Sequence, residues 1–336
     1  MHADPARPAD PSALKPLFVV FNRASGRGDR DEVPRAIEAA CAPSGRRFEL
    51  FPVEAPGKLV ETAREAVARA KQAGGIVVAA GGDGTINCVA QATLGSGCAF
   101  GLLPRGTFNY FARTHGIPQE IDQALKVLLN EAPQPVQVGL LNERVFLVNA
   151  SLGLYPQLLE DREVWKQKIG RSRVVAFGAG VATILRGHRS LRLTIEREGA
   201  PRKVHTPTLF VGNNALQMEQ VGLPEAQAID EGCLAGVMLR PVGRLTLLWL
   251  LARGAFRKLG EADSVENFAF RRLTVRARAL GRKRVKVATD GEVLDMRLPL
   301  TFTVAPEPLL LIRPKGLAEE RREAQSSAGL PVEAHR

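Results

Sequence analysis

Hydrophobic positions along this chain fall into two successive patterns. In the first third, Leu17–Phe21, Phe48–Val53, Ile76–Ala80 and Ala99–Leu103 are short apolar runs that read as buried strands. Stretches that read as helices stand between and after them, one reaching about Cys41 and one from about Lys58 to Gln72, then Thr85–Leu94 and Ile121–Asn130. Such alternation predicts a parallel sheet with helices on both faces. Beyond Gln134 the strands come in close succession: Val145–Ala150, Leu191–Arg197, Thr208–Gly212, Leu234–Leu239, Phe268–Val275, Val285–Thr289, Thr301–Val304 and Leu309–Ile312. Helical stretches at about 160–187 and 243–260 interrupt them. This second pattern predicts an antiparallel β-sandwich. The expected layout is a Pro/Ala-rich tail over 1–15, an α/β nucleotide-binding domain over 16–135, a β-sandwich substrate domain over 136–312, and a polar tail over 313–336 free to pack back on the first domain.

Composition narrows the partners. The chain of 336 residues can hold two cored domains, with 45% hydrophobic residues and a formal charge of +11. That charge suits anionic partners, whether nucleotide, acidic lipid headgroups or nucleic acid. Aromatics make up only 5% of the chain and form no basic stripe suited to base stacking, so nucleic acid is not expected. Cys41, Cys88, Cys98 and Cys233 form no Cys-x-x-Cys pair and read as reduced thiols of a cytoplasmic protein. The N-terminus has no apolar signal core, and the longest apolar stretches, Val174–Leu185 and Leu245–Ala252, are too short to span a bilayer.

The chemistry is concentrated at residues 76–87, where an apolar run ends in Gly81-Gly82-Asp83-Gly84-Thr85 and leads into a helix. A glycine turn between a strand's carboxyl end and a helix N-terminus offers backbone N–H groups to phosphate. Asp83 would repel phosphate unless a cation stood between them, which points to a nucleotide with Mg²⁺. The plain alternative is a tight turn with a capping aspartate. Two sister turns follow other strands, Asn22–Gly28 and Pro104–Asn109. Ser25, Gly26, Gly106, Thr107 and Asn109 there supply hydroxyl, backbone and amide groups. Neither a P-loop nor the dinucleotide glycine fingerprint is present. Far downstream, Asp290-Gly291-Glu292 places two carboxylates in one turn. Phosphoryl transfer to an alcohol needs a base at the hydroxyl, although Asp-Gly is also a common hairpin signal.

Together these residues resemble the catalytic domain shared by bacterial diacylglycerol-kinase-type lipid kinases and eukaryotic diacylglycerol and sphingosine kinases. The resemblance runs from Phe18 to Ile312. Its marks are Asn22-x-x-Ser25-Gly26, Gly81-Gly82-Asp83-Gly84-Thr85-Ile86-Asn87, Pro104-x-Gly106-Thr107-x-Asn109-x-Phe111-Ala112, Asn149-x-x-x-Gly153, Asp230-Glu231-Gly232 and Asp290-Gly291-Glu292. The glycine motif alone is shared with NAD kinases and phosphofructokinases; the Pro-x-Gly-Thr-x-Asn block points to the lipid-kinase branch. The resemblance implies an active site between two domains. It gives ATP to Asn22, Ser25, Gly26, Gly81–Thr85, Gly106, Thr107 and Asn109, sets Asp83 near Mg²⁺, and makes Asp290 and Glu292 an acid/base pair with Glu292 the preferred proton acceptor. It also implies a structural metal on the carbonyls of Ala228 and Cys233 and the side chain of Glu231.

Three positions depart from the pattern: Arg23 replaces a proline, and Tyr110 and Gln137 replace aspartates that bacterial members join to the glycine-loop aspartate in a polar network. The expected function is ATP-dependent phosphorylation of diacylglycerol or a similar membrane lipid. The alternatives are an NAD kinase-like enzyme on a soluble substrate and a catalytically weak lipid- or nucleotide-binding protein. Peripheral contact with an anionic membrane surface, at its cytoplasmic face, would use the basic and apolar stretches 166–189 and 244–258. The same stretches equally suit helices packed on the sandwich, and a homodimer is allowed for.

Overall fold

Leu17–Asn22 (β1), Phe48–Val53 (β2), Ile76–Gly81 (β3) and Ala99–Pro104 (β4) are parallel strands whose apolar side chains are almost all buried. The structure is a computed structural model describing residues 14–22, 31–160, 190–197, 199–220, 226–243, 245–249, 263–277 and 284–316. It divides into two units, residues 1–136 with 309–336, and residues 137–308.

In the first unit, Pro133–Val136 (β5) and Leu309–Ile312 complete a six-stranded sheet. With the latter strand numbered β18 in chain order, the order is β2-β1-β3-β4-β18-β5. The helices are Glu32–Cys41 (α1), Leu59–Ala73 (α2), Asp83–Thr93 (α3), Tyr110–Thr114 (α4) and Ile121–Asn130 (α5). Strand β2 lies on one side of β1 and β3 on the other, so the chain reverses its direction of travel across the sheet. Right-handed crossovers then put α1 and α2 on opposite faces. The packing agrees, since α2 lies against α3 and α1 against α5. The reversal also opens a crevice at the carboxyl ends of β1 and β3, where open α/β sheets bind ligands.

The second unit holds two six-stranded sheets. Gly139–Leu141 (β6), Arg144–Phe146 (β7), Asn149–Gly153 (β8), Leu191–Arg197 (β9), Ala200–Thr206 (β10) and Thr208–Gly212 (β11) come first. Leu234–Leu239 (β12), Val265–Phe270 (β13), Arg272–Ala277 (β14), Arg284–Thr289 (β15), Glu292–Arg297 (β16) and Leu300–Val304 (β17) follow. One sheet runs β10-β9-β14-β17-β6-β7 and the other β13-β12-β11-β8-β15-β16, with every neighbouring pair antiparallel. Between them lies one apolar cluster that includes Leu141, Phe146, Leu152, Ile195, Leu209, Phe270 and Phe302.

Four sequence expectations need correction. Leu309–Ile312 does not join the sandwich; it pairs parallel to β4 and antiparallel to β5 in the first unit. Its apolar run would suit either sheet, and only pairing decides. Phe268–Val275 is not one strand but parts of β13 and β14, which belong to different sheets with exposed Arg271 between them. Val145–Ala150 is likewise split at Leu147 and Val148. Helix α3 begins at Asp83 rather than Thr85, because Gly82 is its N-cap. The helical stretches expected at 160–187 and 243–260 lie almost wholly outside the described residues.

Candidate functional site

Parallel pairing of β1, β3 and β4 brings the ends of those three strands side by side, so the three predicted turns start from neighbouring positions. Asn22 ends β1; Ser25 and Gly26 lie outside the described residues. The other two turns touch directly. Arg105 donates its backbone N–H to the Gly81 carbonyl at 2.8 Å. A Cβ placed on Gly106 would meet Asn109 Oδ1 at 2.5 Å and the Gly82 Cα at 2.9 Å, so the third turn carries no side chain at that point. Gly82, Asp83, Gly84 and Thr85 form the N-cap and first turn of α3, where backbone N–H groups lack intrahelical partners and attract anions.

Asp83 spans this junction. Its Oδ2 accepts the Asn109 N–H and its Oδ1 the Tyr110 N–H, each at 3.1 Å, at the start of α4. Burial pushes its carboxyl above the ordinary aspartate range, and these backbone bonds pull the other way. The aspartate absent at position 110 therefore costs Asp83 no main-chain partner, since Tyr110 supplies its N–H whatever its side chain. That side chain stacks on Phe108, with ring centroids 5.8 Å apart and planes 5° from parallel.

Asn109 departs from the sequence expectation. It is buried at φ 45°, its Oδ1 accepts the Gly106 N–H at 2.9 Å, and its Nδ2 donates to the Gly106 carbonyl at 2.9 Å and to Gln119. The amide expected to meet nucleotide instead closes its own loop. Thr85 is also buried and packs on Gly81, so only its backbone can serve a ligand. Thr107, by contrast, is exposed. Arg105 was not singled out from the sequence. Its guanidinium is 12% exposed and pairs through Nη1 with Glu32 Oε2 at 2.7 Å, tying the third turn to the start of α1.

In the second unit Asp290 and Gly291 have φ of 47° and 91°, the left-handed pair of a two-residue hairpin turn between β15 and β16. The hairpin alternative and the functional one are thus compatible. Asp290 Oδ2 accepts the Leu147 N–H at 2.7 Å, and Oδ1 accepts those of Val148 and Asn149, both at 2.9 Å. This clamp explains the break between β7 and β8. Glu292 differs: its side chain is 58% exposed and its Oε2 meets Arg144 Nη2 at 2.7 Å. On β8, beside the turn, Asn149 Oδ1 and Ser151 Oγ are buried with no hydrogen-bond partner among the described residues. Ser151 was missed from sequence, and its apolar neighbours gave no signal for it.

Gln137, the other replaced aspartate, donates from Nε2 to Asn213 Oδ1 at 2.8 Å and to the Cys233 carbonyl at 2.9 Å. The Ala228 carbonyl accepts the Cys233 N–H at 2.9 Å. Two of the three expected metal donors, Ala228 and Cys233, are thus engaged, and a cation on the Cys233 oxygen would sit beside an amide N–H₂ group. That geometry weighs against a metal on Ala228, Glu231 and Cys233. Among the described residues no three His, Cys, Asp or Glu side chains are placed to hold a metal ion. A Mg²⁺ carried by nucleotide needs less, because phosphates and water supply most of its ligands and one carboxylate can complete them. Asp83 fits that limited role.

Comparison with known proteins follows the same division. Residues 16–141 match the family model of the diacylglycerol kinase catalytic domain, and residues 163–313 that of the YegS C-terminal NAD kinase beta sandwich-like domain. A probable lipid kinase, YegS-like, from Pseudomonas aeruginosa is 30% identical over 331 residues, covering 92% of this chain and 98% of that protein. A protein of the same description from Cronobacter sakazakii is 38% identical over 140 residues, or 40% of this chain. The chain spans 45% of that relative's length, and 37% of the length of an uncharacterized Synechocystis protein that is 30% identical over 162 residues. A crystal structure of a diacylglycerol kinase from Bacillus anthracis shares the fold, with a TM-score of 0.65 at 19% identity over 90% of this chain and 98% of that one.

Proposed function

This chain belongs to the diacylglycerol-kinase-like family of lipid kinases, and we propose on that premise that it transfers the γ-phosphoryl group of ATP to the hydroxyl of diacylglycerol or a similar membrane lipid. The observation that carries the reading is the meeting of the Gly81–Thr85 and Pro104–Asn109 turns, at the ends of β3 and β4, beside the crevice between β1 and β3 where strand order reverses. Backbone N–H groups at the start of α3 and the Thr107 hydroxyl bind the phosphates. Asp83 would join the ligands of a nucleotide-borne Mg²⁺, which would neutralise charge on those phosphates.

Glu292 takes the proton of the acceptor alcohol. A new bond joins the alcohol oxygen to the γ-phosphorus as the bond to the β-phosphate oxygen breaks, and ADP leaves. The exposure of Glu292 and its contact with Arg144 support a reachable, oriented base. Asp290, with three N–H donors on its carboxylate, holds the turn that presents Glu292.

The test is incubation with labelled ATP and extracted bacterial lipids, comparing wild type with Glu292→Gln and Asp83→Asn, each checked for folding by circular dichroism. Label in lipid that falls by about 10²–10⁴-fold in Glu292→Gln supports the reading. Label on NAD and none on lipid would replace it with the NAD kinase-like alternative. Binding of ATP without turnover would favour a catalytically weak binding protein.

A further inference from the structure

The two sheets of the second unit each have an edge strand here, the largely exposed β10 in one and the half-buried β13 in the other. A two-pronged ion pair ties these edges together. Arg202 of β10 meets Glu266 of β13 through Nη2–Oε2 at 2.9 Å and through a second contact between Nη1 and Oε1. A groove opens on each side of the pair, of about 320 Å³ and about 340 Å³, and Arg202 and Glu266 line both. In the first, Ile195, Pro201 and Phe268 form an apolar strip, and the Arg197 guanidinium lies 5.6 Å from the centre of the Phe268 ring. In the second, Lys203 and Arg240 stand along the opposite rim.

The charge there is one-sided. Four fixed cations, Arg197, Arg202, Lys203 and Arg240, face a single carboxylate, Glu266, which Arg202 already occupies. All four are exposed. Arg202 and Lys203 lie on edge strand β10, Arg197 ends β9 and Arg240 follows β12, so spread this way they reach several anionic groups at once rather than enclosing one. The apolar strip between guanidiniums suits the boundary between lipid headgroups and acyl chains, where Arg and Lys stems lie along apolar surface with their charges at phosphate. The geometry points to this open edge of the sandwich as a docking surface for the acidic phospholipids of a bilayer, separate from the stretches 166–189 and 244–258 expected to play that part. The inference makes no use of the kinase reading and is tested without nucleotide.

The experiment is flotation of the full chain with vesicles of phosphatidylcholine, with and without one third phosphatidylglycerol. The variants are Arg197→Glu/Lys203→Glu/Arg240→Glu and the milder Lys203→Gln/Arg240→Gln, which keeps the Arg197–Phe268 contact if the first fails to fold. Wild type should bind the acidic vesicles only. Each basic side chain near such a surface is worth about 1 kcal/mol, so the triple variant should bind roughly 100-fold more weakly and the double variant roughly 30-fold. Unchanged binding in the folded double variant overturns the inference. It is also overturned if Lys166→Glu/Lys168→Glu abolishes binding that the triple variant keeps, or if wild type captures glycerol phosphate or duplex DNA and ignores acidic vesicles.

Discussion

Asp83 in the first unit accepts two backbone N–H groups, one on each carboxylate oxygen, whereas Asp290 in the second accepts three. Both sit beside glycines in turns that look catalytic, and both hold together segments distant in sequence. The difference lies in what capacity remains. A carboxylate has about four acceptor positions. Besides the N–H groups of Asn109 and Tyr110, the Asp83 carboxylate interacts with its own backbone N–H, and the position that remains is enough to join a cation's ligands. Asp290 has Oδ1 doubly engaged and is better suited to fixing a turn than to receiving a proton. Glu292, exposed and held by Arg144, is the carboxylate of that turn which the proposed reaction uses as its base. The two carboxylates expected as an acid/base pair thus differ in setting: Asp290 is bound by backbone on both oxygens, and Glu292 is exposed beside Arg144.

The comparison can be broken most directly at Asp290. Asp290→Ala orphans three N–H groups at about 1–3 kcal/mol each, so a stability loss of at least about 3 kcal/mol is expected in urea unfolding. Asp290→Asn should be milder and keep measurable turnover. Near-native stability with activity gone would instead make Asp290 catalytic. Asp83→Ala orphans two groups and should cost about 2–4 kcal/mol. The same site gives a pH signature. Because burial raises its carboxyl, the folded chain takes up a proton before the unfolded one, so this group's contribution falls as pH rises through the acid range. Measured against Asp83→Asn, wild type should gain stability between pH 7 and about pH 4.5, and a relative loss would contradict the burial argument. Arg144→Ala removes a half-exposed ion pair and should cost under about 1 kcal/mol, while slowing turnover by misplacing Glu292; equal kcat in wild type and variant would detach Arg144 from the site. Smallest of all, chelation should leave the melting temperature unchanged, and a drop on EDTA treatment would restore the metal expected at Ala228, Glu231 and Cys233.

The first unit was the more legible one. Leu17–Phe21, Ile76–Ala80 and Ala99–Leu103 are buried runs closed by glycine turns, and Ile121–Asn130 forms the helix its spacing predicts. Each signal there is local, and successive strands lie close together in the sheet. In the second unit Leu191–Arg197, Thr208–Gly212 and Leu234–Leu239 were equally plain. Yet Phe268–Val275 hid a change of sheet at Arg271, because alternating side chains look the same whichever strand lies alongside. At the site, residue types were visible and their uses were not. Asn109 spends its amide on its own loop, Gln137 on Cys233, and Asp290 on the β7–β8 bend.

What the sequence by itself determined is the class of each half and the identity of the chemical residues, because burial period, turn chemistry and motif order are written locally. Tertiary structure alone decided which sheet takes Leu309–Ile312, which carboxylate is saturated by backbone and which stays available, and that Arg197, Arg202, Lys203 and Arg240 line one open edge. Those outcomes depend on strand pairing and on hydrogen bonds across more than a hundred residues of chain, such as Asp290 to Leu147. No local pattern carries them, since a strand or a carboxylate is competent for several partners until folding supplies one.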